Sequence, residues 1–472
     1  MSYSPLLTDL YELTMMAGYF EHNMHEKPAC FDLFFRSTPF QGGYAVFAGL
    51  EPALRYLQQL RFADEDLTYL QSLGIFQPRF LDYLREFRFR CRVTAPPEGT
   101  LVFANEPLVS VEGNLAEAQL VESALLNIIN FQTLIATKAA RVQHAAGSGE
   151  VVEFGLRRAQ GPDGALSATR AAAIGGVGSS SNTWAGQIFG LPVKGTHAHS
   201  WVMAFADELQ AFRAYAQAFP DTTILLVDTY DTLSSGLPNA LTVARELRAQ
   251  GHELLGIRLD SGDLAYLSRQ ARRLFDEAGF PQVKIVASNE LDEYLIQSIR
   301  EEGGKVDIYG VGTKLVTAAG EEGGALGGVY KLVSFAGEPR LKTTSDRAKA
   351  TLPDRKRLLR LVDKQGRYIQ DVICLADESL PADARVYDPT NASRNKRLPE
   401  EFCSQEVRML VMAEGEIVTD LPPLEVCAQR CAAQMECLPE GILRLYNPHV
   451  YKVSLSPGLQ ALREKLLLRY ES

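Results

Sequence analysis

Four clusters of residues in this chain have the types and spacing that chemistry requires. The stretch GTHAHSW, residues 195–201, carries two of the chain's seven histidines, His197 and His199, one residue apart. A lone histidine on an apolar strand is usually a satisfied core group, whereas two at i and i+2 of a strand share a face and would suit a metal. No carboxylate- or cysteine-rich motif follows nearby, so a non-metal role is favoured, with both histidines open as candidates. In EFGLRR, Phe154 offers a ring for a planar ligand to stack on, and Arg157 and Arg158 offer guanidinium groups for its carboxylate. Two arginines after a strand are also common as solvated residues.

In RLDSGD, Arg258, Asp260, Ser261 and Asp263 stand around Gly262. Carboxylates and a hydroxyl at one point suit ribose hydroxyls or phosphate-bound Mg2+, and equally a turn in which Asp263 caps the next helix. GVGTK places Gly312, Thr313 and Lys314 in a short glycine turn whose amides could cradle a phosphate. It is neither a P-loop nor a dinucleotide-binding fingerprint.

These groups sit at the ends of apolar runs. From about residue 149, EVVEFGLRR, TTILLVDTYDT, HELLGIRLDSGD, VKIVASNELDE and VDIYGVGTK each close in a polar cluster. The helical stretches PNALTVARELRAQG and LAYLSRQARRLFDEAG lie between runs and stop at a glycine, as a left-handed cap requires. Such βα repetition predicts an α/β fold, a parallel sheet or barrel with helices outside, whose strand ends share one mouth. Continuous rather than alternating apolar runs fit strands buried on both faces.

Upstream, LTDLYELTMMAGYF reads as a helix, ACFDLFFR as a strand, PFQGGY as a turn, residues 91–113 as a small β-substructure and AEAQLVESALLNIINFQTLIATKAARV as a long buried helix. From about residue 335 to 472 the chain reads as charged and irregular until the closing helix SPGLQALREKLLLRY.

With 46% apolar residues among 472, the chain can bury a large core in more than one unit. A net charge of −10 argues against nucleic acid as a partner, since such binders rely on Lys and Arg against phosphates. No run of about 18 apolar residues occurs and the N-terminus lacks a signal-peptide layout, so a cytoplasmic protein without membrane association is expected. Seven cysteines, an odd number, fit reduced thiols; Cys427, Cys431 and Cys437 match no common zinc spacing and are read as helix-packing residues.

Taken together and in order, TDLYELTM, PPEGTLVFANEPLVSVEG, EFGLRR, GTHAHSW, LVDTYDT, RLDSGD, GVGTKLV, PRLKTTSDRAKATLPDRK and NPHVYKVSLS resemble the nicotinate phosphoribosyltransferase family over nearly the whole chain. The resemblance implies an irregular (β/α) barrel plus a second α/β domain built from both chain ends. The corresponding segments are 1–140, an N-terminal α/β domain; 141–340, the barrel; and 341–472, a C-terminal segment packed on both. It implies a homodimer with composite active sites, and the substrates nicotinate and 5-phosphoribosyl 1-pyrophosphate with ATP and Mg2+.

Residue by residue, the resemblance makes His199 the acceptor of ATP's phosphate, Phe154 the stacking ring and Arg157 the contact for the pyridine carboxylate. Tyr11 would be a second ring, reaching in from the neighbouring subunit. Arg258 and Asp260, with Ser261 beside them, would hold the phosphoribosyl moiety, and Gly312 and Thr313 its 5'-phosphate. Asn182 stands where nicotinamide-using relatives carry an aspartate, which would repel a carboxylate, so asparagine favours nicotinate. Asp354 in LPDRK departs from the family's usual glycine. Rival readings are a nicotinamide- or quinolinate-type transferase, a barrel aldolase or isomerase using Lys314 or Lys331, and a catalytically silent sensor.

Overall fold

The computed structural model describes residues 3–321, 323–343 and 350–471, so residues 344–349 of the PRLKTTSDRAKATLPDRK motif lie outside them. The chain forms two compact units, Met1–Leu134 with Glu321–Ser472, and Ile135–Gly320.

The second unit is the βα repetition. Its strands β1 (Glu150–Glu153), β2 (Ile224–Leu226), β3 (Gly256–Leu259), β4 (Lys284–Ala287) and β5 (Ile308–Val311) run parallel in the order β1-β5-β4-β3-β2. The last strand therefore pairs with the first, the order of a sheet that curls on itself. Beyond β1, single parallel bridges continue from Glu153 to Ser180 and from Ser180 to Val193. Leu225, Ile257, Ile285 and Val311 are fully buried, as two-sided covering of a parallel sheet demands. The helices Leu237–Ala249 and Leu264–Glu277 give way to Gly251 and Gly279, whose φ values of 87° and 82° are left-handed.

Within this unit Glu293, at the start of the helix Glu293–Glu301, is fully buried against two cations of the long helix Glu122–Ala146. Lys138 Nζ lies 2.5 Å from one carboxylate oxygen and Arg141 Nε 3.0 Å from the other. Removing the anion alone would leave both buried cations without this counter-charge. Glu293→Ala is therefore expected to destabilise the fold by about 3–5 kcal/mol in chemical denaturation; a loss under about 1 kcal/mol would show that water enters and solvates the cluster.

The first unit is mostly antiparallel. One seven-stranded sheet interleaves chain-distant strands, with Pro28–Phe35 between Gly328–Phe335 and Val109–Asn114, and Arg92–Ala95 paired with Met409–Ala413. The tail is not irregular as the sequence pattern suggests. It forms a six-stranded sheet around the hairpin Lys356–Val362 and Tyr368–Leu375, and only then the expected helix Pro457–Glu471. Short, polar edge strands such as Asn395–Arg397 and Cys403–Glu406 hide that sheet from a reading of apolar periodicity. Cys427 and Cys431 are buried on the helix Leu424–Cys437.

Asp354 has φ 63°, the left-handed conformation that glycine adopts without strain and aspartate tolerates. The turn it makes wraps Lys356, whose ammonium donates to the carbonyls of Leu352 at 2.9 Å, Pro353 at 3.3 Å and Asp354, and pairs with buried Asp32 at 2.9 Å. The departure from glycine thus leaves a left-handed loop in place. No helix among the described residues is long and apolar enough to cross a membrane.

Candidate active site

Arg258, on β3, is the hub where the strand ends meet. Its Nη2 donates to Asp260 Oδ1 at 2.6 Å, Nε to the Ser288 hydroxyl at 2.7 Å and Nη1 to the Thr196 hydroxyl at 3.0 Å, while its guanidinium carbon sits 5.7 Å from the Phe154 ring centre. Ends of β1, β3 and β4 and the GTHAHSW segment are thereby drawn together. Partial burial works to raise the Asp260 pKa, but the Ser288 hydroxyl and the Arg258 guanidinium outweigh it and hold the carboxyl below its ordinary value. Ser261 donates to Asp228 Oδ2 at 2.7 Å, and the Asp260 amide donates to the same oxygen at 2.7 Å. Asp263 caps the next helix, accepting from the Tyr266 amide at 2.8 Å.

The two histidines do not share a strand face. His197 lies in a loop, and His199 opens a short helix, His199–Met203. Alanine and histidine precede a helical turn here, so the i, i+2 rule for strands does not hold. His197 is buried; its Nε2 accepts the Leu226 amide of β2 at 3.2 Å, and its Nδ1 faces the Ala198 carbonyl at 3.4 Å. That pattern fixes a neutral ring with the proton on Nδ1. His199 is instead accessible, with Nδ1 3.1 Å from the Thr229 hydroxyl and Nε2 3.7 Å from Asp260 Oδ2.

Burial pushes the His197 pKa down from 6.5 to about 4. Between those values the unfolded chain binds a proton that the folded ring refuses. Its contribution is complete above pH 6.5 and lost as pH falls to about 4, amounting to about 3 kcal/mol. His197→Gln is expected to flatten stability against pH over this window in denaturation series at pH 7 and pH 5. An unaltered slope would assign acid sensitivity to other groups.

Phe154 rests on Gly310 of β5, where a Cβ would lie 2.5 Å from the ring carbons. Beneath it Glu153 is 1% exposed and accepts from the Gly155 amide and from the hydroxyls of Thr169 and Ser180, tying the EFGLRR turn to two neighbouring segments. Arg157 and Arg158 are exposed on the turn Leu156–Arg158. Asn182 is buried, its Oδ1 accepting the Ala185 amide at 3.2 Å as cap of the helix Thr183–Phe189, while its Nδ2 has no partner. Because an amide N–H must face an oxygen, this bond sets the side chain's orientation and leaves the NH2 as the unused end.

Models of the nicotinate phosphoribosyltransferase N-terminal domain, family and C-terminal domain match residues 6–130, 150–367 and 355–463. A Bacillus subtilis nicotinate phosphoribosyltransferase is 44% identical over 96% of this chain and 92% of its own length. The chain belongs to the nicotinate phosphoribosyltransferase family. It is an enzyme with that family's phosphoribosyl-transfer activity. The human relative is 36% identical over 98% of this chain and 96% of its own. The crystal structure of human nicotinic acid phosphoribosyltransferase superposes with a TM-score of 0.86 at 34% identity, covering 97% of this chain and 99% of that one. A nicotinate-nucleotide pyrophosphorylase from Pyrococcus furiosus, 23% identical with a TM-score of 0.70 over 92% of this chain and 95% of that one, shares the fold.

Among the family motifs, GVGTK places Gly312 just before the short helix Thr313–Val316, and the Thr313 hydroxyl meets Glu290 at 3.1 Å. Asn289 and Glu290, beside it, hold left-handed φ values of 86° and 42°, a strained turn at the end of β4. Tyr11 belongs to the first unit, on the helix Leu10–Glu21, and is 45% exposed. Lys331, a candidate for the aldolase reading, is also in the first unit, 3.7 Å from Glu122.

The contacts of Asp228, Thr229, Glu153, Thr196 and Ser288 emerge only from the tertiary structure. For Asp228 and Thr229 a signal existed, the polar end of LVDTYDT; Thr196, Ser288 and Glu153 are single polar residues whose roles depend on contacts distant in sequence. Asp228 Oδ1 is buried without a partner, and Asp260 Oδ2 faces His199 rather than an arginine. Among the described residues no group of three or more histidines, cysteines or carboxylates could hold a metal ion. Two carboxylates of this kind fit Mg2+, which commonly takes one or two protein carboxylates and completes its shell with substrate phosphates and water.

Proposed function

We propose that the chain joins nicotinate to 5-phosphoribosyl 1-pyrophosphate, forming nicotinate mononucleotide and pyrophosphate, and couples this to ATP through a phosphate carried on His199. The pyridine nitrogen supplies the electron pair for the new bond to ribose C1, while the C1–oxygen bond breaks and pyrophosphate leaves with its electrons. No proton transfer is needed. The chain's task is to position and to stabilise charge. Phe154 stacks on the pyridine, Arg157 meets its carboxylate, Arg258, Asp260 and Ser261 hold the phosphoribosyl moiety, and Gly312 and Thr313 receive its 5'-phosphate. Mg2+, held by Asp228 and Asp260 with phosphate oxygens, would neutralise charge on the departing pyrophosphate.

The observation that carries the assignment is the contrast between the histidines. His197 is locked as a neutral acceptor, whereas His199 stands open beside Asp260 with one ring nitrogen against Thr229. In the coupling step an imidazole nitrogen attacks the γ-phosphorus, the bond to the β-phosphate oxygen breaks, and ADP leaves; water later hydrolyses the phosphohistidine. Nicotinate mononucleotide formation measured with and without ATP tests the reading, together with acid-labile label from γ-labelled ATP on the His199 peptide. Equal yields and an unlabelled peptide would overturn it.

The free NH2 of Asn182 favours nicotinate, since it can donate to a carboxylate where an aspartate could not. Asn182→Asp is expected to lower kcat/KM for nicotinate about 10²-fold and to shift preference toward nicotinamide, as an introduced like charge facing a carboxylate costs several kcal/mol. Unchanged selectivity in competition assays would remove Asn182 from the site. We further infer a cytoplasmic homodimer in which Tyr11 of one subunit completes the pyridine sandwich of the other, a role its exposure supports.

A further inference from the structure

The first unit contains a cavity of about 600 Å3, whose lining shares no residue with the substrate site described above. Its walls come from three chain-distant places: the turn around Gln41 and Gly42, the loop Phe103–Asn105, and the strands that carry Lys396 and Val453. The volume falls in the range of small-molecule sites, about 300–1,000 Å3.

Charge gives this cavity a chemistry. Arg394, Lys396, Lys452 and His449 line it, against a single carboxylate, Asp388. Asp388 Oδ1 is already engaged by the Thr390 amide and hydroxyl and the Asn391 amide, at 2.8, 2.7 and 3.1 Å. None of Arg394, Lys396 and Lys452 makes an ion pair among the described residues, although Lys396 is half-buried. Burial and the neighbouring Lys452 together lower the Lys396 pKa, which is the signature of a cation without a counter-charge. A partly desolvated ammonium beside a second ammonium is costly unless an anion offsets it.

We propose that this cavity binds a small phosphorylated anion of nucleotide size, with Lys396, Lys452 and Arg394 receiving the phosphate oxygens. The apolar side of the cavity, Val386, Pro389, Pro448 and Val450, gives room for an organic group attached to the phosphate. Pyrophosphate and ADP, titrated separately into the full-length protein by calorimetry, distinguish recognition of the phosphates alone from recognition of a nucleotide.

The wild type is expected to bind two equivalents of probe per chain, one at the substrate site and one here. In Lys396→Glu with Lys452→Glu the second equivalent should weaken at least tenfold while turnover stays within twofold, with unchanged circular dichroism reporting an intact fold. Asp388→Asn, which keeps the turn's acceptor but removes its charge, should tighten the same equivalent about threefold, so the proposal does not depend on the reversal variant folding. A single equivalent in the wild type, two equivalents unaltered in the variants, or loss of turnover in a folded reversal variant would each overturn the proposal.

Discussion

His199→Asn is expected to abolish the increase in nicotinate mononucleotide that ATP confers, to leave no acid-labile phosphate on the protein, and to retain a slow ATP-independent transfer. Asparagine keeps a polar side chain near Thr229 and Asp260 but offers no nitrogen that can carry phosphate. What disappears is a dianion at the mouth of the parallel-sheet unit, which in the proposed cycle orders the cations that receive pyrophosphate. One such charge-assisted arrangement is commonly worth about 2.7–4 kcal/mol, so turnover in the presence of ATP should drop by about 10²-fold or more, to the ATP-free rate. Steady-state rates with and without ATP, with label counting on the isolated peptide, read this directly. Stoichiometric ATP consumption surviving in the variant would mean that the phosphate travels by another residue. His197 is a poor substitute, because its Nε2 is committed to the Leu226 amide and its ring resists protonation down to about pH 4.

Arg258→Ala should cost more. The side chain joins Asp260, Ser288 and Thr196 and lies over the Phe154 face, so its loss removes the proposed phosphoribosyl contact and releases three groups that it orients. A fall in kcat/KM of about 10³-fold is expected, with a rise in KM for 5-phosphoribosyl 1-pyrophosphate exceeding that for nicotinate. Arg258→Lys should recover little, because an ammonium cannot span three acceptors with the geometry of a planar guanidinium. The Asp260 carboxyl loses one of the groups that hold its pKa down, so activity in the alanine variant should fall off at higher pH on the acid side than in the wild type. A loss under tenfold, equal for both substrates, would reduce Arg258 to a strut of the fold.

Much of this was legible in the sequence for a physical reason. A buried parallel strand must be apolar throughout and must end in a turn, so the five runs and the polar residues that close them are marked locally, as are the glycines that stop the helices. The antiparallel sheet of the tail was not legible. Its edge strands are short and charged, and their pairing partners lie up to dozens of residues away. The separation of His197 from His199 was equally out of reach. Nothing in GTHAHSW says that one ring will meet the Leu226 amide and the other Asp260, since those partners arrive from β2 and from the end of β3. The sequence by itself determined which residue types stand at the strand ends and the family they belong to. Only the tertiary structure decided which of them meet, because hydrogen bonds between residues 30 or 60 positions apart, as from Arg258 to Ser288 and Thr196, are set by the packing of whole elements and leave no periodicity in the chain.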